Sequence, residues 1–217
     1  MYFQSRSEAG WILAQQLKNY RYENAAVVAL NDGAVLVAKE IAAELHAPLT
    51  MMLLENIEVP GESEIFGVVD HTGGFATNQS FSNGQLDDYY AEYHGIIDQQ
   101  RREKFEHMNR LLMDGGLVDK ELIRHHVVLL VSDGLKTGLS LEAAAEFLKP
   151  VSVERLIIAT PIASVAAVDR MHILTDEIHC LGVTENYFDT NHYYDVNEIP
   201  SHEQVVQIIN QSVLNWR

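Results

Sequence analysis

The chain has 217 residues, 47% of them hydrophobic and 21% charged, and a formal net charge of −16. That is enough for one α/β domain with a substantial core. The charge argues against a nucleic-acid partner, whose binding rests on Lys and Arg neutralising phosphates, and no apolar run approaches the roughly 18–20 residues of a membrane helix.

In chain order the pattern predicts a helix from about Glu8 to Tyr20, a strand Ala25–Leu30, a helix Ala34–Leu45 and a strand Pro48–Leu54. An insert from Glu55 to Lys120 follows. In it Ile65–Val69 and Phe75–Asn78 flank His71-Thr72-Gly73-Gly74, which reads as a hairpin with a glycine turn. A long helix is then expected from about Leu86 to Met113, with Tyr93, Ile97, Phe105, Met108 and Leu112 on one stripe. Arg101 falls within that stripe and needs a partner, either a carboxylate of the body or a ligand phosphate, because an unpaired buried charge is costly.

Beyond the insert come a strand Val127–Val131, a helix Leu139–Lys149, a strand Arg155–Thr160, a short helix near Ala163–Arg170 and a strand Glu177–Leu181. A last helix starts at Ser201, whose capping box closes with Gln204, and Val205, Ile208, Ile209 and Leu214 form its apolar face. Strands alternating with helices imply an α/β fold with a parallel sheet and helices on both faces. The chain reads as a single domain, 1–217, carrying the 55–120 insert. Ligands of such sheets bind beyond the carboxyl ends of the strands, where Asn31-Asp32-Gly33 and the Ser132–Ser140 turn both begin.

The most informative stretch is Ser132-Asp133-Gly134-Leu135-Lys136-Thr137-Gly138-Leu139-Ser140, between an all-apolar strand and an Ala- and Leu-rich helix. Free N–H groups and the helix dipole make such a junction a phosphate cradle. The glycines let the backbone approach the anion, Thr137 and Ser140 offer hydroxyls, and Lys136 offers a charge. It is not a Walker A loop, since its glycines are four apart and no Lys-Ser/Thr follows Gly138. A plain strand–helix connection is the competing reading.

The other chemistry-bearing residues are quieter. Ten histidines are scattered, and no pair sits at i, i+4 with a third ligand, so no metal site of protein side chains is expected. The lone Cys180 reads as a buried thiol in a reducing cytoplasm. Residues Met1–Ser5 lack a basic segment followed by an apolar one, so no secretory signal is read. The expected location is cytoplasmic.

The turn resembles the signature of the type I phosphoribosyltransferases: two acids, Gly, two variable positions, Thr, Gly and a hydroxyl. The order of features over the full length is similar to a subgroup of stand-alone phosphoribosyltransferase-like proteins. Met1, Phe3, Arg6 and Glu8-Ala9-Gly10 look like its opening, which favours native sequence over a tag remnant at Met1–Ser5. Asn31-Asp32-Gly33 stands at its Arg-Gly-Gly pyrophosphate loop. Pro60-Gly61-Glu62-Ser63-Glu64, Phe66-Gly67-Val68, Arg101-Arg102, Thr160-Pro161-Ile162-Ala163 and Tyr193-Tyr194-Asp195 match later motifs.

The resemblance implies a type I phosphoribosyltransferase-like fold. Its turn would grip the 5′-phosphate of phosphoribosyl pyrophosphate (PRPP), its acids the ribose hydroxyls, and the insert would be a hood of hairpin plus long helix over the ligand. It also implies a magnesium ion carried by PRPP if the protein is active. Three departures stand out: Asn31 and Asp32 for Arg-Gly, Ser132 for the first acid, and Glu55 where the hood begins with a base. Losing one donor to a developing anion costs on the order of 100- to 1,000-fold in rate. The expected function is therefore binding of PRPP or a ribose 5-phosphate nucleotide with reduced or absent transfer. An active phosphoribosyltransferase and a non-catalytic regulatory or interaction protein are the alternatives. The expected partner is a phosphorylated ribose rather than nucleic acid or membrane, and a second copy of the chain is a candidate. No catalytic residue is assigned, and Glu55 and Arg101 are the candidate hood contacts.

Overall fold

The structure, a computed structural model, describes residues 1–62, 64–112 and 123–214. Its centre is a five-stranded parallel sheet in the order β2-β1-β6-β7-β8. The strands are β1 (Ala25–Ala29), β2 (Leu49–Met51), β6 (Val127–Val131), β7 (Arg155–Ser164) and β8 (Glu177–Thr184). Alternate residues of β1 and β6 serve two cores. Val27, Ala29, Leu129 and Val131 face helices α1 (Arg6–Gln16) and α2 (Asp32–Leu45). Ala26, Val28, Val128 and Leu130 face α4 (Leu139–Leu148) and α5 (Val165–Leu174). Burial on both faces is why these strands read as unbroken apolar runs.

Several boundaries differ from expectation. The first helix stops at Gln16 and passes into a 3-10 turn, Lys18–Tyr22. The strand expected to end at Thr160 continues to Ser164, so Thr160-Pro161-Ile162-Ala163 lies inside β7. The strand expected over Pro48–Leu54 is two: β2 ends at Met51, and Leu54 opens β3 (Leu54–Ile57), which leaves the main sheet.

In the hood, β3, β4 (Gly67–Asp70) and β5 (Phe75–Thr77) form a three-stranded antiparallel sheet. The expected hairpin is β4–β5. The Asp70 carboxylate fastens its turn by accepting from the Thr72 and Gly74 amides and the Thr72 hydroxyl, at 2.7, 3.0 and 2.6 Å. The long helix α3 (Asn83–Leu112) begins earlier than expected because Ser82 and Gln85 form a capping box. Ile97 and Met108 are fully buried, with Tyr93 packed beside them. Met113, the hood's end at Lys120, Ser63 and the Leu112 and Leu214 side chains lie outside the described residues.

The last helix, α6 (His202–Leu214), starts on the expected capping box: Ser201 N–H donates to Gln204 Oε1 at 2.9 Å and Gln204 N–H to Ser201 Oγ at 3.4 Å. No described helix is long and apolar enough to cross a membrane.

Candidate functional site

The parallel arrangement brings the carboxyl ends of β1 and β6 side by side, so residues 31–33 and 132–140 meet although about a hundred positions separate them. The 132–140 turn leaves β6 and enters α4 through Gly138, whose φ of 73° is a left-handed conformation that suits glycine. Its start is anchored to β7: Leu135 N–H donates to Ile162 O, Ser164 N–H to Leu135 O, and Ser164 Oγ to Lys136 O. Ser164 also caps α5 by accepting from Ala167 N–H at 3.0 Å.

After those bonds the turn retains free donors. Among the described residues, the amides of Lys136, Thr137, Gly138 and Ser140 donate to no protein acceptor, and Leu139 N–H reaches Thr137 Oγ1 only at 3.4 Å. Lys136 is exposed, whereas Thr137 and Ser140 are half-buried. Successive unpaired amides at a helix start are what an oxyanion requires. The Leu135 and Leu139 side chains are buried and serve packing.

The two acid positions behave differently from a free ribose clamp. Ser132 is 1% exposed, and its hydroxyl is used within the turn, donating to Gly134 O at 3.0 Å and accepting from Gly134 N–H at 3.3 Å. Asp133 is also buried. Its Oδ2 accepts from Arg6 Nε at 2.7 Å and its Oδ1 from Asn31 Nδ2 at 3.1 Å. Arg6 is 1% exposed, donates through Nη2 to Asn191 Oδ1 at 2.6 Å and lies 4.6 Å from the centre of the Tyr194 ring. Its Nη1 has no hydrogen-bond partner among the described residues.

The N-terminal segment is joined to residues 193–195 here as well, since Phe3 N–H donates to Tyr193 O and Asp195 N–H to Phe3 O. Two separate parts of the family pattern, Phe3/Arg6 and Tyr193-Tyr194-Asp195, thus make one support beneath Asp133. Nothing in local spacing could have signalled that pair.

Asn31 caps α2 by accepting from Ala34 N–H at 2.7 Å. Gly33 lies so close to the ion pair that a Cβ there would meet Asp133 Oδ2 at 2.4 Å and Arg6 Nε at 2.9 Å. Asp32 is half-buried and its Oδ1 lacks a hydrogen-bond partner among the described residues. Burial raises the Asp32 carboxyl above its ordinary range, Glu55 adds to the rise and His202 opposes it.

A raised native value means that the charged carboxylate costs stability as pH climbs through it, whereas below the unfolded value the cost is absent. Asp32→Asn should therefore have a higher Tm than the parent at pH 7, with the gap closing towards pH 4. An Asp32→Asn protein that is less stable at pH 7, or equally shifted at both pH values, would contradict this account.

Two hood residues have surroundings that their sequence neighbours do not indicate. Glu55 does not leave its surroundings without a cation, because Lys104 Nζ on α3 lies 3.7 Å from Glu55 Oε2 and His107 Nδ1 3.4 Å from Oε1. A helix stripe folded back on β3 supplies what the residues around Glu55 lack. Arg101 does not reach the body. It is 36% exposed, lies 4.6 Å from the centre of the Phe75 ring and 4.0 Å from Asp98 of its own helix. A residue flanking the buried stripe, rather than within it, can keep its charge in solvent.

A groove of about 640 Å³ opens between the β4–β5 hairpin and α4, lined by Phe75, Thr77, Glu142 and Phe147 among others. No residue of 132–140 lines it, so volume does not mark that turn. Among the described residues, no group of three His, Cys, Asp or Glu is disposed to hold a metal ion.

Comparisons with known proteins bear on the family and the fold. A family profile described as the phosphoribosyl transferase domain matches residues 74–195. Two Mycobacterium tuberculosis proteins, from strains CDC 1551 / Oshkosh and H37Rv, carry provisional phosphoribosyl transferase names and are each 27% identical over 215 residues. The match takes in 97% of this chain and 47% of theirs, so the chain spans about half the length of these relatives. The crystal structure of TT1426 from Thermus thermophilus is 25% identical, with a TM-score of 0.74 over 97% of this chain and 99% of that one.

Proposed function

The chain belongs to the phosphoribosyl transferase domain family, and from that premise we propose that it binds a phosphorylated ribose and transfers it slowly or not at all. The ligand, PRPP or a ribose 5-phosphate nucleotide, would set its 5′-phosphate on the amides of residues 136–140. The Thr137 and Ser140 hydroxyls and the Lys136 ammonium would complete that grip.

One observation carries the second half of the proposal: both Asp133 oxygens are engaged by Arg6 and Asn31 while the turn amides are free. Phosphate binding needs the amides, whereas the ribose and pyrophosphate ends need acids and cations that are here neutralised in pairs, Arg6 with Asp133 and Lys104 with Glu55. With Asp133 so engaged, magnesium would be held by the oxygens of PRPP itself and would supply charge neutralisation at the pyrophosphate.

A thermal-shift series with PRPP, ribose 5-phosphate and nucleoside monophosphates, with and without magnesium, tests this. A ligand at about 100 times its dissociation constant adds about 2.7 kcal/mol, or about 5–11 °C for a chain of this size. Lys136→Ala combined with Thr137→Ala should abolish the shift. No shift with any of these compounds would refute the proposal.

A further inference from the structure

Taking as given the reading that an anion rests on the 136–140 amides, we infer that Arg170 is a positioning residue that couples occupancy of that turn to the seating of the hood. Arg170 projects from α5 with its side chain 15% exposed. Its aliphatic stem lies behind the turn's last glycine, where a Cβ on Gly138 would be 3.3 Å from Arg170 Cδ. Nη1 is 3.2 Å from Glu142 Oε1, in the first turn of α4, an ion-pair contact without hydrogen-bond geometry. Nη2 donates to two hood residues, Asn78 Oδ1 at 3.3 Å and Ser80 Oγ at 3.0 Å. One side chain therefore fills the space behind Gly138, pairs with the helix that follows the turn and bonds to the hood.

The hood end of this link is firm. Asn78 is fully buried, its amide donates to Phe66 O, its Nδ2 to Ile65 O at 2.8 Å, and its Oδ1 accepts from Ser80 N–H at 3.0 Å. The hood also rests on the first two turns of α4, through Val68, Ile65 and Ala76 against Leu139 and Ala143. Burial raises the Glu142 carboxyl and Arg170 opposes the rise, in keeping with a pair held out of water.

An anion drawing in the Gly138 and Ser140 amides fixes the start of α4, and with it the position of Glu142 and the space behind Gly138. That selects one guanidinium placement, and the guanidinium selects one hood placement. A ligand shifts such an equilibrium only through its differing affinity for the two states, and the arginine fork carries the difference through two separate nitrogens.

Hydrogen exchange on the full chain tests this with ribose 5-phosphate as probe. Without ligand, Arg170→Met should speed exchange of the 65–78 amides about tenfold and leave those of 127–131 unchanged. Arg170→Lys, which keeps the stem and the charge but not the fork, should fall between parent and Met and guards against a misfolded variant. With ligand, the parent hood should slow several-fold. The Arg170→Met hood should not, although its ligand-induced thermal shift persists. An equal hood response in both proteins would overturn the coupling, and unchanged exchange without ligand would overturn the seating role. If the parent binds no ribose 5-phosphate, the anion-site reading falls and the coupling with it, while the ligand-free comparison still decides whether Arg170 seats the hood.

Discussion

Arg6→Met should lower stability by about 3–5 kcal/mol, the range for breaking a buried ion pair by removing one partner. For a chain of this length that is a Tm fall of about 6–20 °C. The cost arises because the Asp133 carboxyl would be left with only Asn31 as side-chain partner, in a site 5% exposed, while Asn191 and the Tyr194 ring lose what they hold. The double variant Arg6→Met with Asp133→Leu should recover a large part of the loss, since a buried pair replaced by apolar groups of similar volume is often neutral. Differential scanning calorimetry of the two single variants and the double gives the coupling directly. An Arg6→Met protein within about 0.5 kcal/mol of the parent, the range of an ordinary surface change, would show that the pair is not structural.

Turnover with PRPP, magnesium and mixed nucleobases should lie below about 1 per second, under the usual enzyme range of about 1–1,000 per second. Asp133→Asn sharpens the test. In an active transferase whose Asp133 grips the ribose, that change would remove a charge-assisted bond made to the reacting sugar, and the rate would fall steeply. Here Asp133 is engaged by Arg6, so Asp133→Asn should lower the Tm yet leave the ribose 5-phosphate shift within a few degrees of the parent's. Pyrophosphate release and thermal shift are the two measurements. Rapid turnover that collapses in Asp133→Asn would establish an active enzyme, with Arg6 or Lys104 as the cation at the pyrophosphate end.

The two halves of the site were legible in the sequence to different degrees. An all-apolar strand, a glycine-bearing turn with hydroxyls and an Ala- and Leu-rich helix are local patterns, and β6, the 132–140 turn and α4 formed where those patterns stand. The same holds for β1 with α2 and for the capping box that opens α6, because propensity, periodicity and capping act over a few residues. The alternation of such elements was enough to imply the parallel sheet.

What touches what was decided only by the tertiary structure. Arg6 and Asp133 are 127 positions apart, and no spacing rule connects a first helix with a turn after the sixth strand. Lys104 meets Glu55 because α3 lies along β3, and Arg170 of α5, rather than Arg101, makes the hydrogen bonds from the body to hood residues Asn78 and Ser80. β3 itself left the main sheet, although Pro48–Leu54 reads as one strand, because its partner β4 lies in the hood. Charge and periodicity along the chain determine which segments are built. Which buried charge is neutralised, and by which distant residue, is set by how those segments pack, since the cost of an unpaired charge is felt only once water has been excluded.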